Sequence, residues 1–280
     1  MLEVNYSVQV DSARISRHGR VIEIDLPQNP VTVRSRGRIK PRQNVLFFRK
    51  AMKDLGKYGE AIIADPDNPF WLSSGGGTYV TQDKRIITIT RTDAPVYPNK
   101  ESIFLGRSNS LEEALDVNKV RIRELSEECL IVNNDSKLVV LDSDIAESTA
   151  YESASNIGLK HICGIKRIDP NPIESPNSDT LVINQEGHQQ RRFKGLCYWD
   201  PRIPMPGIDL IGLYALPYWF DDFQLYDGEN FNRNIASVNP YKMNPAKTTP
   251  TLEYLLRRLK SNSVEDCYPI PSELSSYYLR

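Results

Sequence analysis

The chain has 280 residues, 40% of them hydrophobic and 25% charged, with a formal net charge of −1. That length suits one large domain or two small ones and is enough to bury a sizeable core. No apolar run approaches the roughly 18–20 residues that a membrane helix needs, and residues 1–20 lack the apolar centre of a signal peptide.

Residues 21–26, VIEIDL, alternate as a half-buried strand does. The stretch 33–57 then holds nine Lys or Arg against the single acid Asp54. A helix is expected from Asn44, which can cap it, through Val45, Phe48, Met52 and Leu55 to Gly56. The basic stretch suits phosphate or RNA, and equally a solvated helix face beside a basic loop. Residues 1–70 therefore read as an N-terminal basic segment with strand and helix, and 71–280 as the main domain.

Residues 61–77 read as a strand and then a loop. The glycines at 75, 76 and 77 precede a strand instead of joining a strand to a helix, and no GK[ST] follows. A flexible strand entry is expected there, not a phosphate loop. Residues 78–91 predict a hairpin turning at Gln82, Asp83 and Lys84, with Ile86, Ile87 and Ile89 as its apolar weight. A loop over 92–100 leads to a short strand ending at Gly106. A helix capped by Asp116 follows, its apolar stripe begun by Val117, Val120 and Leu125. Residues 129–142 predict a second hairpin, and 143–158 a helix from Ser143 to Gly158.

Strands are expected over 160–168, 179–185 and 192–199, with Pro-rich loops at 169–178 and 200–206. Residues 208–217 are nearly all apolar and should lie deep in a sheet. The chain then offers an amphipathic helix at 249–262 with Leu252, Leu255, Leu256 and Leu259 inward. Cys129, Cys163, Cys197 and Cys267 form no CxxC pair, so reduced thiols and a cytoplasmic setting are expected. Structural zinc is not expected with three histidines, none at ligand spacing from a cysteine pair. His161 and Cys163 alternate in the apparent strand 160–168 and read as core or surface; a Cys–His nucleophilic pair stays open.

The segment with most chemistry is RIRELSEECLIV, 121–132, where Glu124, Glu127 and Glu128 share a helix face. Like charges at i,i+4 repel by a few tenths of a kcal/mol. A solvated face supported by the Arg123–Glu127 pair is one reading. The other is a hard-oxygen site for Mg²⁺ or Mn²⁺, held rigidly beside a sheet.

RELSEE at 123–128 resembles the core of the Nudix box, G-x5-E-x7-R-E-U-x-E-E-x-G-U with U aliphatic. Arg123, Glu124, Leu125, Glu127, Glu128 and Ile131 match it, and Gly106 with Glu112 matches its G-x5-E start. The likeness extends over roughly residues 75–260, but only the REL-x-EE core is specific. Ten residues separate Glu112 from Arg123 where the family has seven, and Leu130 stands where it has glycine.

The resemblance implies a Nudix-like α/β/α sandwich with a mixed sheet, here with an N-terminal extension. It implies a Mg²⁺- or Mn²⁺-dependent hydrolase that cleaves the pyrophosphate of a nucleoside diphosphate derivative. Glu127 and Glu128 would ligate metal, and Glu124 would be a ligand or orient the attacking water. Arg123 would hold the helix, and a later acid would be recruited from Glu186, Asp209, Asp221, Asp222 or Glu229. Arg91 and Arg107 are the candidate substrate contacts, as phosphate partners or as plain surface charges. The aromatics Tyr198, Trp199, Tyr218, Trp219 and Phe220 stack on a base or fill core. The alternative is a catalytically weakened Nudix-fold module that binds nucleotide, or RNA through 33–57. No membrane partner is expected, and a homodimer remains open.

Overall fold

The computed structural model describes side chains over 75–92, 97–110, 112–114, 116, 118–171, 211–217, 222–229, 231, 233–249, 251–253 and 255–256. It describes strands by backbone alone over 5–10, 12–16, 21–25, 31–34, 60–64, 70–74, 179–183, 189–194, 196–198 and 207–210, and helical backbone at 111, 115 and 117. The expected helix at 44–55 and almost all of the basic stretch lie outside the described residues.

In chain order the strands are β1 (Asn5–Val10), β2 (Ser12–Ser16), β3 (Val21–Asp25), β4 (Val31–Arg34), β5 (Glu60–Ala64), β6 (Phe70–Val80), β7 (Ile86–Arg91), β8 (Lys100–Ser102) and β9 (Phe104–Gly106). There follow β10 (Cys129–Asn133), β11 (Lys137–Leu141), β12 (Gly164–Ile168), β13 (Asp179–Ile183), β14 (Gln189–Lys194), β15 (Leu196–Tyr198), β16 (Gly207–Ala215), β17 (Phe223–Asp227) and β18 (Ile235–Val238). The helices are α1 (Leu111–Leu115), α2 (Val117–Glu128) and α3 (Asp144–Asn156).

Among the described residues these strands form three sheets. The largest runs β15-β16-β6-β1-β4, with β9 and β7 also on β6 and with β8 and β18 on β7. It is mixed, because β16 runs parallel to β6 while β9 and β7 run antiparallel to it. The second sheet, β12-β11-β10-β17, is mixed through its parallel β11–β12 pair. The third is antiparallel, β13-β14-β3-β2-β5, and pairs 190–194 with 21–25. The architecture is thus mixed α/β, as expected from the sequence.

The triple glycine departs from its expected role. It is no flexible entry but lies buried inside β6. Gly77 faces Gly212 across the parallel pair, and a Cβ on Gly77 would fall 2.1 Å from the Gly212 carbonyl oxygen. Only glycine permits that approach. The strand expected over 160–168 is also shorter, beginning at Gly164, so His161 and Cys163 sit exposed in the turn before it. The stretch expected as one strand over 192–199 is divided between β14 and β15.

Two apolar layers hold the large sheet. On one side Leu125 of α2, Ala150 of α3 and Val139 of β11 pack with Tyr79, Ile87 and Tyr214. On the other, Leu252, Leu255 and Leu256, among the helical residues 251–253 and 255–256, cover Ile86, Ile211 and Leu213. Each such leucine contributes about 1.5–3 kcal/mol of burial. Leu259 lies outside the described residues. No helix among the described residues is long and apolar enough to cross a membrane.

Candidate active site

Helix α2 carries the carboxylates because its two ends are fixed. Asp116 caps it, its carboxylate accepting from the Asn118 N–H at 3.1 Å. At the other end Cys129 is already extended (φ −117, ψ 90) and donates its N–H to the Leu125 carbonyl, so helix passes directly into β10. Leu125 anchors the inner face with no exposed surface. Residues 124 and 128 are one turn apart beside it and come out buried, at 8% and 9% exposure.

Arg123 ties this helix to the segment before it. Its Nε donates to Glu113 Oε1 at 2.6 Å and its Nη1 to Glu127 Oε2 at 2.7 Å. Its Nη2 donates to the Arg107 carbonyl at 2.6 Å and lies 2.6 Å from Glu124 Oε1. One guanidinium therefore joins β9's exit, α1 and two of the three glutamates. The structure gives Glu113, not Glu112, this partnership; Glu112 is exposed and pairs with Lys119.

Gly106 explains itself in the same place. A Cβ there would stand 1.7 Å from the Glu124 carboxyl carbon, so the carboxylate occupies the space that a side chain would need. Leu130, where the resemblance calls for glycine, is buried in β10 opposite Tyr226. The close approach falls to Gly228 instead, whose Cβ would lie 1.9 Å from the Glu127 carbonyl.

A second guanidinium serves the far side. Arg233 forks onto Asp227, with Nε to Oδ2 at 3.1 Å and Nη2 to Oδ1 at 2.6 Å. It also reaches Glu128 Oε1 at 3.3 Å through Nη1 and Glu229 Oε2 at 2.7 Å through Nη2. Asp227 additionally accepts the backbone N–H groups of Glu229, Phe231 and Arg233, which fixes the loop after β17.

The electrostatics follow from six carboxylates sharing two guanidiniums: Glu113, Glu124 and Glu127 on Arg123, and Glu128, Asp227 and Glu229 on Arg233. Burial pushes the Glu124 carboxyl up to about 7 against the pull of Arg123, with Glu127 and Glu229 adding to the rise. Burial likewise raises Glu128 well above the usual range, Arg233 opposing and Glu124 and Glu229 assisting. Asp227 moves the other way, because hydrogen bonds from Arg233 outweigh its burial. Glu124, Glu128 and Glu229 thus feel one another's charge, and their oxygens are the donors that a hard divalent cation takes. Among the described residues no three Asp, Glu, His or Cys groups converge as a ready ligand set. The donor chemistry fits such an ion; a coordination geometry is not formed while the arginines hold those oxygens.

Beside Glu128 opens a cleft of about 200 Å³, lined also by Arg91, Arg233, Phe231 and the apolar Ile89 and Ile103. Of the two arginines singled out in the sequence, Arg91 lines this cleft. Arg107 offers its carbonyl to Arg123 while its side chain is exposed. Of the later acids, Glu229 joins the cluster and Asp222 lies exposed at a different cavity. Asp209 is described by backbone alone, and Glu186 and Asp221 lie outside the described residues. Tyr198 likewise has only backbone described, and Trp199, Tyr218, Trp219 and Phe220 fall outside.

Sequence reasoning missed Glu113, Asp227, Phe231 and Arg233. An Asp-Gly pair after a strand does signal a turn. Nothing local reveals that Asp227 organises an arginine six residues on, which in turn reaches helix α2.

No protein-family model and no curated protein matches the chain. Among solved structures it is similar to a bifunctional NMN adenylyltransferase/ADP ribose pyrophosphatase from Francisella tularensis, in a complex with AMP and Mn ion. There the identity is 13% and the TM-score 0.37, over 69% of this chain and 41% of that one. A second structure of that enzyme aligns at 12% identity and a TM-score of 0.32, over 59% of this chain and 33% of the other. The chain therefore spans about two-fifths of the enzyme's length at most.

Proposed function

We propose that the protein is a divalent-metal-dependent hydrolase of the Nudix type, cleaving the pyrophosphate linkage of a nucleoside diphosphate derivative. The observation that supports this most is the seating of Glu124 on Gly106, with Arg123 binding Glu127 and the Arg107 carbonyl at once. Gly106 and Arg107 precede α2's Glu124 and Arg123 by 18 and 16 residues and meet them in space.

In this reading Glu124, Glu127 and Glu128, joined by Glu229, would hold Mg²⁺ or Mn²⁺. The ion's contribution is to neutralise diphosphate charge and to lower the pKa of a bound water. The protein's own part is positional. Gly106 leaves room for the Glu124 carboxylate, and Arg123 keeps α2 in register with the loop after β9. Arg91 and Arg233 line the cleft where phosphate oxygens would lie. In the reaction a water oxygen bonds to one phosphorus, the bond from that phosphorus to the bridging oxygen breaks, and two phosphate monoesters leave. The proton released passes to solvent.

Turnover of a panel of nucleoside diphosphate conjugates with Mg²⁺ or Mn²⁺, its products read by mass, tests the proposal. Glu127→Gln and Glu128→Gln should each abolish metal-dependent cleavage, and unchanged turnover in both sinks the reading.

One observation favours a second reading, a module that binds nucleotide without cleaving it. Glu127 and Glu128 are already engaged by Arg123 and Arg233. In that case nucleotide affinity survives in Mg²⁺ while no product forms.

A further inference from the structure

We propose that Phe231 is a stacking platform for a planar nitrogenous base, and so the residue that selects a nucleoside-bearing ligand over a bare sugar phosphate. The proposal deepens the hydrolase reading by naming what the cleft recognises. It stands on geometry that does not require catalysis.

Phe231 is 59% exposed, a large apolar ring left to solvent. The other exposed large apolar side chains among the described residues, Tyr151 and Tyr241, do not line this cleft. Phe231 does line it, together with Glu128 of the carboxylate cluster and the apolar Ile89 and Ile103. The ring is also held in place. The backbone N–H of Phe231 donates to Asp227 Oδ2 at 3.1 Å, and the Arg233 guanidinium carbon lies 5.3 Å from the ring centroid. Arg233 is itself forked onto Asp227. A ring whose backbone is tethered and whose one face meets a guanidinium has less freedom to lose when a base settles on it, and that guanidinium adds cation–π attraction.

Charge and size point the same way. Arg233 is shared among Asp227, Glu128 and Glu229, so much of its charge is compensated, and phosphate attraction does not by itself tell a nucleotide from a sugar phosphate. Discrimination then falls to the uncharged ring. At about 200 Å³ the cleft is smaller than the roughly 300–1,000 Å³ that encloses a drug-sized ligand. A cleft of that size suits one base, with the rest of the ligand reaching out toward the carboxylate cluster.

The test is equilibrium binding to the full-length protein by calorimetry, using the four ribonucleosides and ribose 5-phosphate. Wild type, Phe231→Ala and Phe231→Tyr are compared. Base–aromatic stacking predicts that Phe231→Ala weakens nucleoside binding by roughly five- to a hundredfold. Phe231→Tyr restores it, and neither change alters ribose 5-phosphate affinity. Equal melting temperatures confirm that the exposed substitution leaves the fold intact. Unchanged nucleoside affinity in Phe231→Ala overturns the proposal, as does an equal loss for ribose 5-phosphate or no nucleoside binding by the wild type. If the wild type cleaves no diphosphate yet shows the Phe231-dependent loss, the hydrolase reading fails alone; cleavage with no such dependence removes only the platform.

Discussion

Replacing Glu124 by glutamine should change how stability depends on pH, and the size of the change follows from burial. In the folded, metal-free protein the carboxyl titrates near about 7 instead of 4.5, chiefly because it is desolvated. Below 4.5 folded and unfolded states both hold the proton. Between 4.5 and about 7 the folded state keeps a proton that the unfolded chain has lost. Stability falls with pH wherever the folded state binds more protons. This group's favourable contribution is therefore complete below 4.5 and gone above about 7. At about 1.4 kcal/mol per pH unit, the loss is about 3 kcal/mol at most. Glu128 shifts in the same direction, so the informative quantity is the difference between wild type and Glu124→Gln. Urea unfolding in a chelator, from about pH 5 to about pH 8, should show that difference moving about 2–3 kcal/mol in the variant's favour. If the cluster holds Mg²⁺ as proposed, the added ion should flatten the wild-type curve by neutralising it. A difference that stays constant with pH would refute the reasoning, because Glu124 would then titrate as an ordinary carboxyl.

Gly106→Ala places a methyl in the space of the Glu124 carboxylate. Because the carboxylate can swing aside, stability should fall by only about 1 kcal/mol, measured by denaturation; on the proposed hydrolase reading, metal-dependent turnover should fall at least about tenfold, read by product mass. Arg123→Ala leaves the buried Glu124 and the half-buried Glu113 and Glu127 without their shared cation, which should cost about 3–5 kcal/mol in urea unfolding. Arg123→Lys should recover only part of it, since an ammonium cannot reproduce the guanidinium's divided reach. Gly77→Ala drives a Cβ into the Gly212 backbone, where no side chain can yield. It should lower stability by at least about 2–3 kcal/mol and the melting temperature accordingly.

Much of the fold could be read in advance where the signal is local. The strands at 21–25 and 129–141, the Asp116 cap and the helix ending near Gly158 all rest on alternation, capping or a positive φ, here +78 at Gly158. The misreadings have two causes. A glycine run looks flexible in isolation, yet 75–77 is buried strand because β16 and β9 approach its backbone from either side. Helix α1 was missed because five residues carry too little periodicity to register, although Ser110 caps it.

The site divides in the same way. The sequence alone placed Glu124, Glu127 and Glu128 on one helix face and Arg123 a turn from Glu127, because helical spacing is a property of neighbours in the chain. It also marked Gly106 as notable without saying why. Only the tertiary structure chose Glu113 over Glu112, brought Glu229 and Asp227 to the cluster, and put Arg233 between them and Glu128. Those choices depend on how β9, α2 and the loop after β17 pack together. Contacts between residues about a hundred positions apart leave no periodic trace in the chain. The carboxylates are therefore written in the sequence, while their counter-ions, their burial and the cleft beside them are written in the packing.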